Sequence, residues 1–315
     1  MYKRQVDAAN LAASSVGAKM AQLRTATIVT SSSHQYKDSF YFMDNGIKYL
    51  AVSDLTRDGI SLLRSQDGSD TDYRFYQSVI GGNNWAPTLV DQGNGDFSFV
   101  TTEFAYNNSY LNVFRYNVRT GQMVTGVSRL NQNGGERVMT DATIWYEAGK
   151  GWYLMGAKWQ EGVLGCRLQW ALSNNAEGPY TFPIDLYDSP NGTDRVDWTQ
   201  RGQETDHVVE APIWSWWDHN NDGFHELYWS IGPSDPKKPD GSCTPYVKAV
   251  RRGDINWNGN TPWIYVWGPA GGDGDMMSNN MDCDHLTHPD FTDNGLIRAT
   301  SMNNNQFVIV NLDAY

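Results

Sequence analysis

The chain has 315 residues, with 24 Lys and Arg against 36 Asp and Glu, a formal charge of −12. That balance excludes nucleic acid and anionic membrane as expected partners, because both need clustered cations. Charged residues are only 19% of the chain while Gly (30), Trp (13) and Tyr (17) abound, which excludes disorder and suits a turn-rich folded protein that handles neutral ligands. No apolar run approaches the length of a membrane-spanning helix.

In chain order, residues 1–24 are read as an N-terminal segment in front of a single domain, 25–315. Met1-Tyr2-Lys3-Arg4-Gln5 resembles the translation of a transposon end used in library preparation, so the native start is expected upstream. Ala8 to Ala21 is Ala-rich and reads as a short helix. Localisation is left open by the sequence, with a secreted or periplasmic location favoured. From about Arg24 onward, short apolar or aromatic runs alternate with Gly, Asn and Asp clusters, the pattern of strands joined by tight turns. Predicted strands include Lys48 to Val52, Phe97 to Val100, Gly151 to Met155, Glu226 to Ser230 and Phe307 to Val310. Most follow a Gly-bearing turn, as at Asp44-Asn45-Gly46, Asn94-Gly95-Asp96 and Asn221-Asp222-Gly223.

The turns recur at intervals closer to those of propeller blades than to the short, even spacing of a sandwich. Five units are read, opening near Asp38, Trp85, Asp141, Glu210 and His285. The expected fold is therefore all-β, a five-bladed β-propeller. In such a fold the innermost strand of each blade lines a central channel, so residues far apart in sequence converge.

The residues that open these units resemble glycoside hydrolase family 43 and its relatives. The match runs through Lys37-Asp38-Ser39-Phe40, the Ser65-Gln66-Asp67-Gly68 turn, Asn84-Trp85-Ala86-Pro87, Thr140-Asp141-Ala142-Thr143 and Val209-Glu210-Ala211-Pro212. Ala176-Glu177-Gly178-Pro179-Tyr180 is similar to the turn that follows the third blade in that family. The chain departs from the pattern at Ser39, where Pro is usual, and at Thr88, where many members have Asp. The resemblance implies an O-glycosyl hydrolase acting on arabinose-, xylose- or galactose-containing poly- or oligosaccharides, with Asp38 as general base, Glu210 as general acid and Asp141 as the acid that tunes it. It requires no cofactor for the chemistry.

Those residue types suit the reaction. An inverting glycosidase needs one ionised carboxylate to activate water and one protonated carboxyl for the departing oxygen, set roughly 6.5–9.5 Å apart. Their surroundings must push the two proton affinities in opposite directions, and a third carboxylate beside the acid helps it retain its proton. Glu210 lies among Val208, Val209, Ala211, Pro212 and Ile213, apolar company in which an acid is costly unless it has a function. Two alternatives stand beside this reading: a carbohydrate-binding propeller without turnover, and a related propeller glycosidase acting on fructans or agar oligosaccharides.

Further candidates are more local. Trp85 is expected against the substrate, its flat face meeting sugar C–H groups; Trp145 and Trp214 are weighed for the same role against packing between blades. His285 and His288 are expected to face the channel from the fifth unit. Asp218, Asn220, Asp222 and Glu226 have the spacing of a short calcium hairpin, so a structural Ca2+ is a candidate there, against the reading of a plain polar turn. Cys166, Cys243 and Cys283 form no CxxC pair and read as bystanders.

Overall fold

The structure, a computed structural model, describes residues 22–27, 34–69, 72–105, 108–130, 140–147, 149, 151–159, 166–185, 209–214, 224–231, 246–251, 264–267, 290–291, 296–303 and 306–313. Among them there are strands and turns but no helix. Among the described residues the strands form five antiparallel sheets.

The first sheet is a meander of β2 (Tyr36–Asp44), β3 (Ile47–Asp54), β4 (Gly59–Ser65) and β5 (Tyr73–Ile80). The second runs through β6 (Asn84–Gly93), β7 (Asp96–Ala105), β8 (Asn108–Asn117) and β10 (Ser128–Leu130), with β9 (Gln122–Met123) pairing β8 on the side. The third has β11 (Thr140–Glu147), β12 (Gly151–Trp159), β13 (Cys166–Ser173) and β14 (Thr181–Asp185) in order. The fourth has β15 (Val209–Trp214), β16 (Phe224–Ile231), β17 (Tyr246–Arg251) and β18 (Ile264–Trp267). The fifth joins β19 (Asp290–Phe291), β20 (Leu296–Asn303) and β21 (Gln306–Asp313) to β1 (Gln22–Thr27) from the other end of the chain. Gln22 pairs Asn311 and Thr27 pairs Gln306, so the first and last strands share one sheet.

Strands buried on both faces explain the continuous apolar runs. In β3 every residue from Tyr49 to Asp54 is buried. Tyr49 and Ala51 face one cluster with Phe97, Phe99 and Phe114 of the second sheet, while Leu50 and Val52 face another with Tyr36, Leu63 and Tyr73. A third cluster joins Val100, Leu111 and Val113 to Ala142, Ile144 and Leu154, tying the second sheet to the third. The opening strands of consecutive sheets also pack together: β2 on β6, β6 on β11, and β11 on β15, with β20 on the other side of β2. Sheets stacked face to face in this way are consistent with a β-propeller.

Polar bridges reinforce the same stacking. Arg119, in the turn after β8, donates from Nε (2.7 Å) and Nη2 (2.6 Å) to the buried carboxylate of Asp44 at the end of β2. Glu177 accepts from Ser98 Oγ and Arg115 Nε, linking the second sheet to the turn after β13.

Candidate active site

The opening strands of the first four sheets, β2, β6, β11 and β15, carry the same irregularity. In β2 the register passes from Lys37↔Ser53 to Phe40↔Ala51, so Asp38 and Ser39 together oppose Val52. In β6 it passes from Trp85↔Thr102 to Thr88↔Val100, leaving Ala86 and Pro87 opposite Thr101. In β11 Asp141 and Ala142 fill the interval between Thr140↔Ala157 and Thr143↔Met155. In β15 Ala211 and Pro212 do so between Glu210↔Ser230 and Ile213↔Tyr228. Two residues against one is a β-bulge, which re-aims a side chain and interrupts the ladder. Asp38 and Asp141 hold the first bulged position, and Glu210 immediately precedes its bulge.

The backbone at two of these bulges is strained. Asp38 has φ +52° and Ala86 φ +51°, in the left-handed region that costs an L-residue with a Cβ roughly 1–2 kcal/mol, although Asp tolerates it better than most. Such strain clusters at functional sites. Both residues are buried. Ser53 Oγ donates to Asp38 Oδ2 at 2.7 Å and itself accepts from the Ala86 amide at 2.8 Å. The Lys37 ammonium lies 3.9 Å from Asp38 Oδ1 and 5.9 Å from the centre of the Trp85 ring. A buried carboxylate, a cation and a half-buried indole thus meet at the start of two adjacent strands.

Trp85 is held from behind. Its Nε1 donates to Asn83 Oδ1 at 3.0 Å, and the Asn83 amide is tied to Asp58 O of the neighbouring sheet at 2.8 Å. Asn84 donates from Nδ2 to Gly81 O (2.7 Å) and accepts at Oδ1 from Thr101 and Asn112. Asn112 donates onward to Glu103, which Arg129 also reaches. Burial alone would raise the Glu103 carboxyl, but its hydrogen bonds from Asn112 and Arg129, with the Arg129 charge, hold it below the ordinary carboxylate value. Thr88, where an acid is common in the resembled family, donates to Ala142 O at 2.5 Å and bridges β6 to β11.

Asp38 and Trp85 are therefore brought together, on β2 and β6. Asp141 lies on β11 at the position matching Asp38, Glu210 lies on β15 one residue earlier, at the position matching Trp85, and for these two the backbone alone is described. Glu226 lies on β16, again described by its backbone. Asp218, Asn220, Asp222, His285 and His288 lie outside the described residues. No group of three His, Cys, Asp or Glu that could hold a metal occurs among the described residues. Trp145 is buried and stacks on Tyr153, ring centres 5.1 Å apart and 7° from parallel, so it packs the third sheet and presents no face to a sugar. Sequence reasoning missed Ser53 and Lys37. The available signal for Ser53 was a hydroxyl closing an apolar strand one residue before Asp54.

No protein-family model and no curated protein matches the sequence. Similarity appears in three dimensions. The endo-arabinase of Bacteroides thetaiotaomicron VPI-5482 superposes over 92% of this chain and 98% of its own with 16% identity and a TM-score of 0.60. A thermostable family-43 glycoside hydrolase does so over 90% and 91% with 11% identity and a TM-score of 0.59. A mannose phosphorylase from Leishmania mexicana covers 96% and 92% with 9% identity and a TM-score of 0.58. The chain has the fold of the family-43 glycoside hydrolases. At these identities the likeness is one of fold, and the chemistry must be argued from the residues.

Proposed function

We propose that the five sheets are the blades of a five-bladed propeller and that the chain is an inverting glycoside hydrolase acting on arabinose-, xylose- or galactose-containing polysaccharides or oligosaccharides. The observation that carries the reading is Asp38: a buried carboxylate on a left-handed bulge, beside Trp85, in the first of four opening strands broken at the same register. Repeated bulges at the openings of β2, β6, β11 and β15 support placing Asp141, at the position matching Asp38, and Glu210, at the position matching Trp85, around the same pit.

In this reading Asp38, ionised, accepts a proton from water as its oxygen bonds to the anomeric carbon. The bond from that carbon to the leaving oxygen breaks, and Glu210 delivers its proton to that oxygen. Asp141 keeps Glu210 protonated through its nearby negative charge. Trp85 offers an apolar face to the sugar ring, and His285, with His288 as its alternate, faces the channel from the fifth unit. Asp218, Asn220, Asp222 and Glu226 are the residues that would hold a calcium ion, which would stiffen their hairpin without entering the chemistry; thermal melting with calcium and with chelator checks it.

The test is Glu210→Gln assayed on arabinan, xylan, galactan and aryl glycosides of arabinofuranose and xylose, with product anomers read by NMR. Loss of turnover with a native-like melt is expected, and inverted product from the parent chain. A fully active Glu210→Gln overturns the acid's role. Binding without turnover in the parent assigns a carbohydrate-binding propeller instead, and turnover that requires inorganic phosphate assigns a phosphorylase.

A further inference from the structure

We infer that Ser53 is a positioning residue for this reaction, holding the Asp38 carboxylate as a proton acceptor through a hydrogen-bond chain that starts on the neighbouring sheet; the inference rests on the hydrolase reading above. The chain has three members: the Ala86 amide, Ser53 Oγ 2.8 Å away, and Asp38 Oδ2 a further 2.7 Å on. Its polarity is dictated by its first member. A backbone N–H can only donate, so it occupies a lone pair of the Ser53 oxygen, and the one hydroxyl hydrogen is directed to Asp38. Oδ2 must then be a lone-pair oxygen. A proton on Oδ2 would set two hydrogens against each other in the same 2.7 Å contact.

Burial sharpens the effect. Ser53 is fully buried and Asp38 and Ala86 nearly so, and hydrogen bonds to charged groups in such surroundings are stronger than neutral ones. The arrangement also uses both strained residues. The left-handed turn at Asp38 brings its carboxylate to the Ser53 hydroxyl, and the left-handed turn at Ala86 aims its amide at the same oxygen across the gap between sheets. Ser53 lies opposite Lys37 in the register, and the Lys37 ammonium lies 3.9 Å from Oδ1, the carboxylate oxygen that Ser53 does not hold. Ser53 thus fixes the base and locks the first bulge to the one that follows Trp85.

The experiment compares the full-length parent with Ser53→Ala, Ser53→Thr and Asp38→Asn, on linear arabinan and on 4-nitrophenyl arabinofuranoside and xyloside, with circular-dichroism melts alongside. Ser53→Ala is expected to lower kcat by about 10- to 100-fold, the scale of one lost charge-assisted hydrogen bond, with KM moving less than about threefold. Ser53→Thr, which keeps the hydroxyl, is expected to return kcat to within about fivefold of the parent. Parent-like kcat in Ser53→Ala overturns the inference while a dead Asp38→Asn leaves the hydrolase reading standing. A fall in Ser53→Ala that Thr does not restore, or that appears in KM alone, also overturns it, because the role would then be packing. An active Asp38→Asn overturns the assignment of Asp38 as base, and a parent with no turnover on any of these substrates sinks the hydrolase reading itself.

Discussion

Replacing Asp38 by Asn separates the charge of the proposed base from its place in the fold. Asn is nearly isosteric and, like Asp, enters the left-handed region at little cost, so φ +52° is retained. The carboxamide oxygen still accepts from Ser53 Oγ, now as a neutral hydrogen bond in place of the 2.7 Å charge-assisted one. That exchange costs about 1 kcal/mol, and removing a buried charge offsets part of it. The melt should therefore move by no more than about 4 °C. Turnover should respond very differently. Loss of a general base removes about 10²- to 10⁴-fold, on the order of 3–5 kcal/mol in the barrier. The assay is reducing-sugar release from arabinan and xylan beside a calorimetric melt of each protein. An Asn variant within tenfold of the parent refutes the assignment. A collapse of the melt refutes the argument that the bulge tolerates the change.

Other consequences concern the scaffold. A Cβ on Gly59 would stand 2.1 Å from Ile80 O and 2.6 Å from Gly81 Cα, backbone atoms that cannot swing away, so Gly59→Ala should cost about 1–3 kcal/mol in a urea titration. Phe99 is fully buried and stacks on Phe114 with ring centres 5.4 Å apart; Phe99→Ala should destabilise by about 3–5 kcal/mol, read by the same titration, and a loss under about 1 kcal/mol would contradict the inter-sheet core. Glu103 is held below its ordinary value of 4.5, so its pairing stabilises the fold above that pH and the contribution fades as pH falls through the lower folded-state value. Glu103→Gln should accordingly flatten the dependence of melting temperature on pH below about 4.5. An unchanged acid limb would show that Arg129 and Asn112 do not act on this carboxylate.

Much of this architecture is readable in the residues themselves. Continuous apolar runs such as Tyr49 to Val52 mark strands covered on both faces, and β3 is one. The expected openings at Asp38, Trp85, Asp141 and Glu210 fall within the first three residues of β2, β6, β11 and β15. Hydrophobic patterning encodes strands well because burial acts residue by residue. It does not encode partners distant in sequence. Nothing in Gln22 to Thr27 announces that these residues complete the sheet of β21, because that pairing depends on how the whole chain closes. The bulges were hidden for a related reason: two residues against one is a property of the pair of strands, and Asp38-Ser39 and Ala86-Pro87 share no residue type that would flag it. The role of Ser53 was hidden, although its place in an apolar strand was not, because that role is set by Ala86, 33 positions away. The Trp85-Ala86-Pro87 segment was legible as a motif, whereas the network of Asn84, Thr101, Asn112 and Glu103 that holds it in place was not.

The central claim is that Asp38 and Glu210 serve one sugar from opposite sides. Its most direct test is a crystal structure of Glu210→Gln soaked with an arabino- or xylo-oligosaccharide, from which the distance between the Asp38 carboxyl and the substituted side chain at position 210 is measured across the bound ring. The account predicts a separation of roughly 6.5–9.5 Å with the scissile oxygen on the side of position 210. A side chain at that position turned to the outer surface, or a sugar bound away from Asp38, would contradict it.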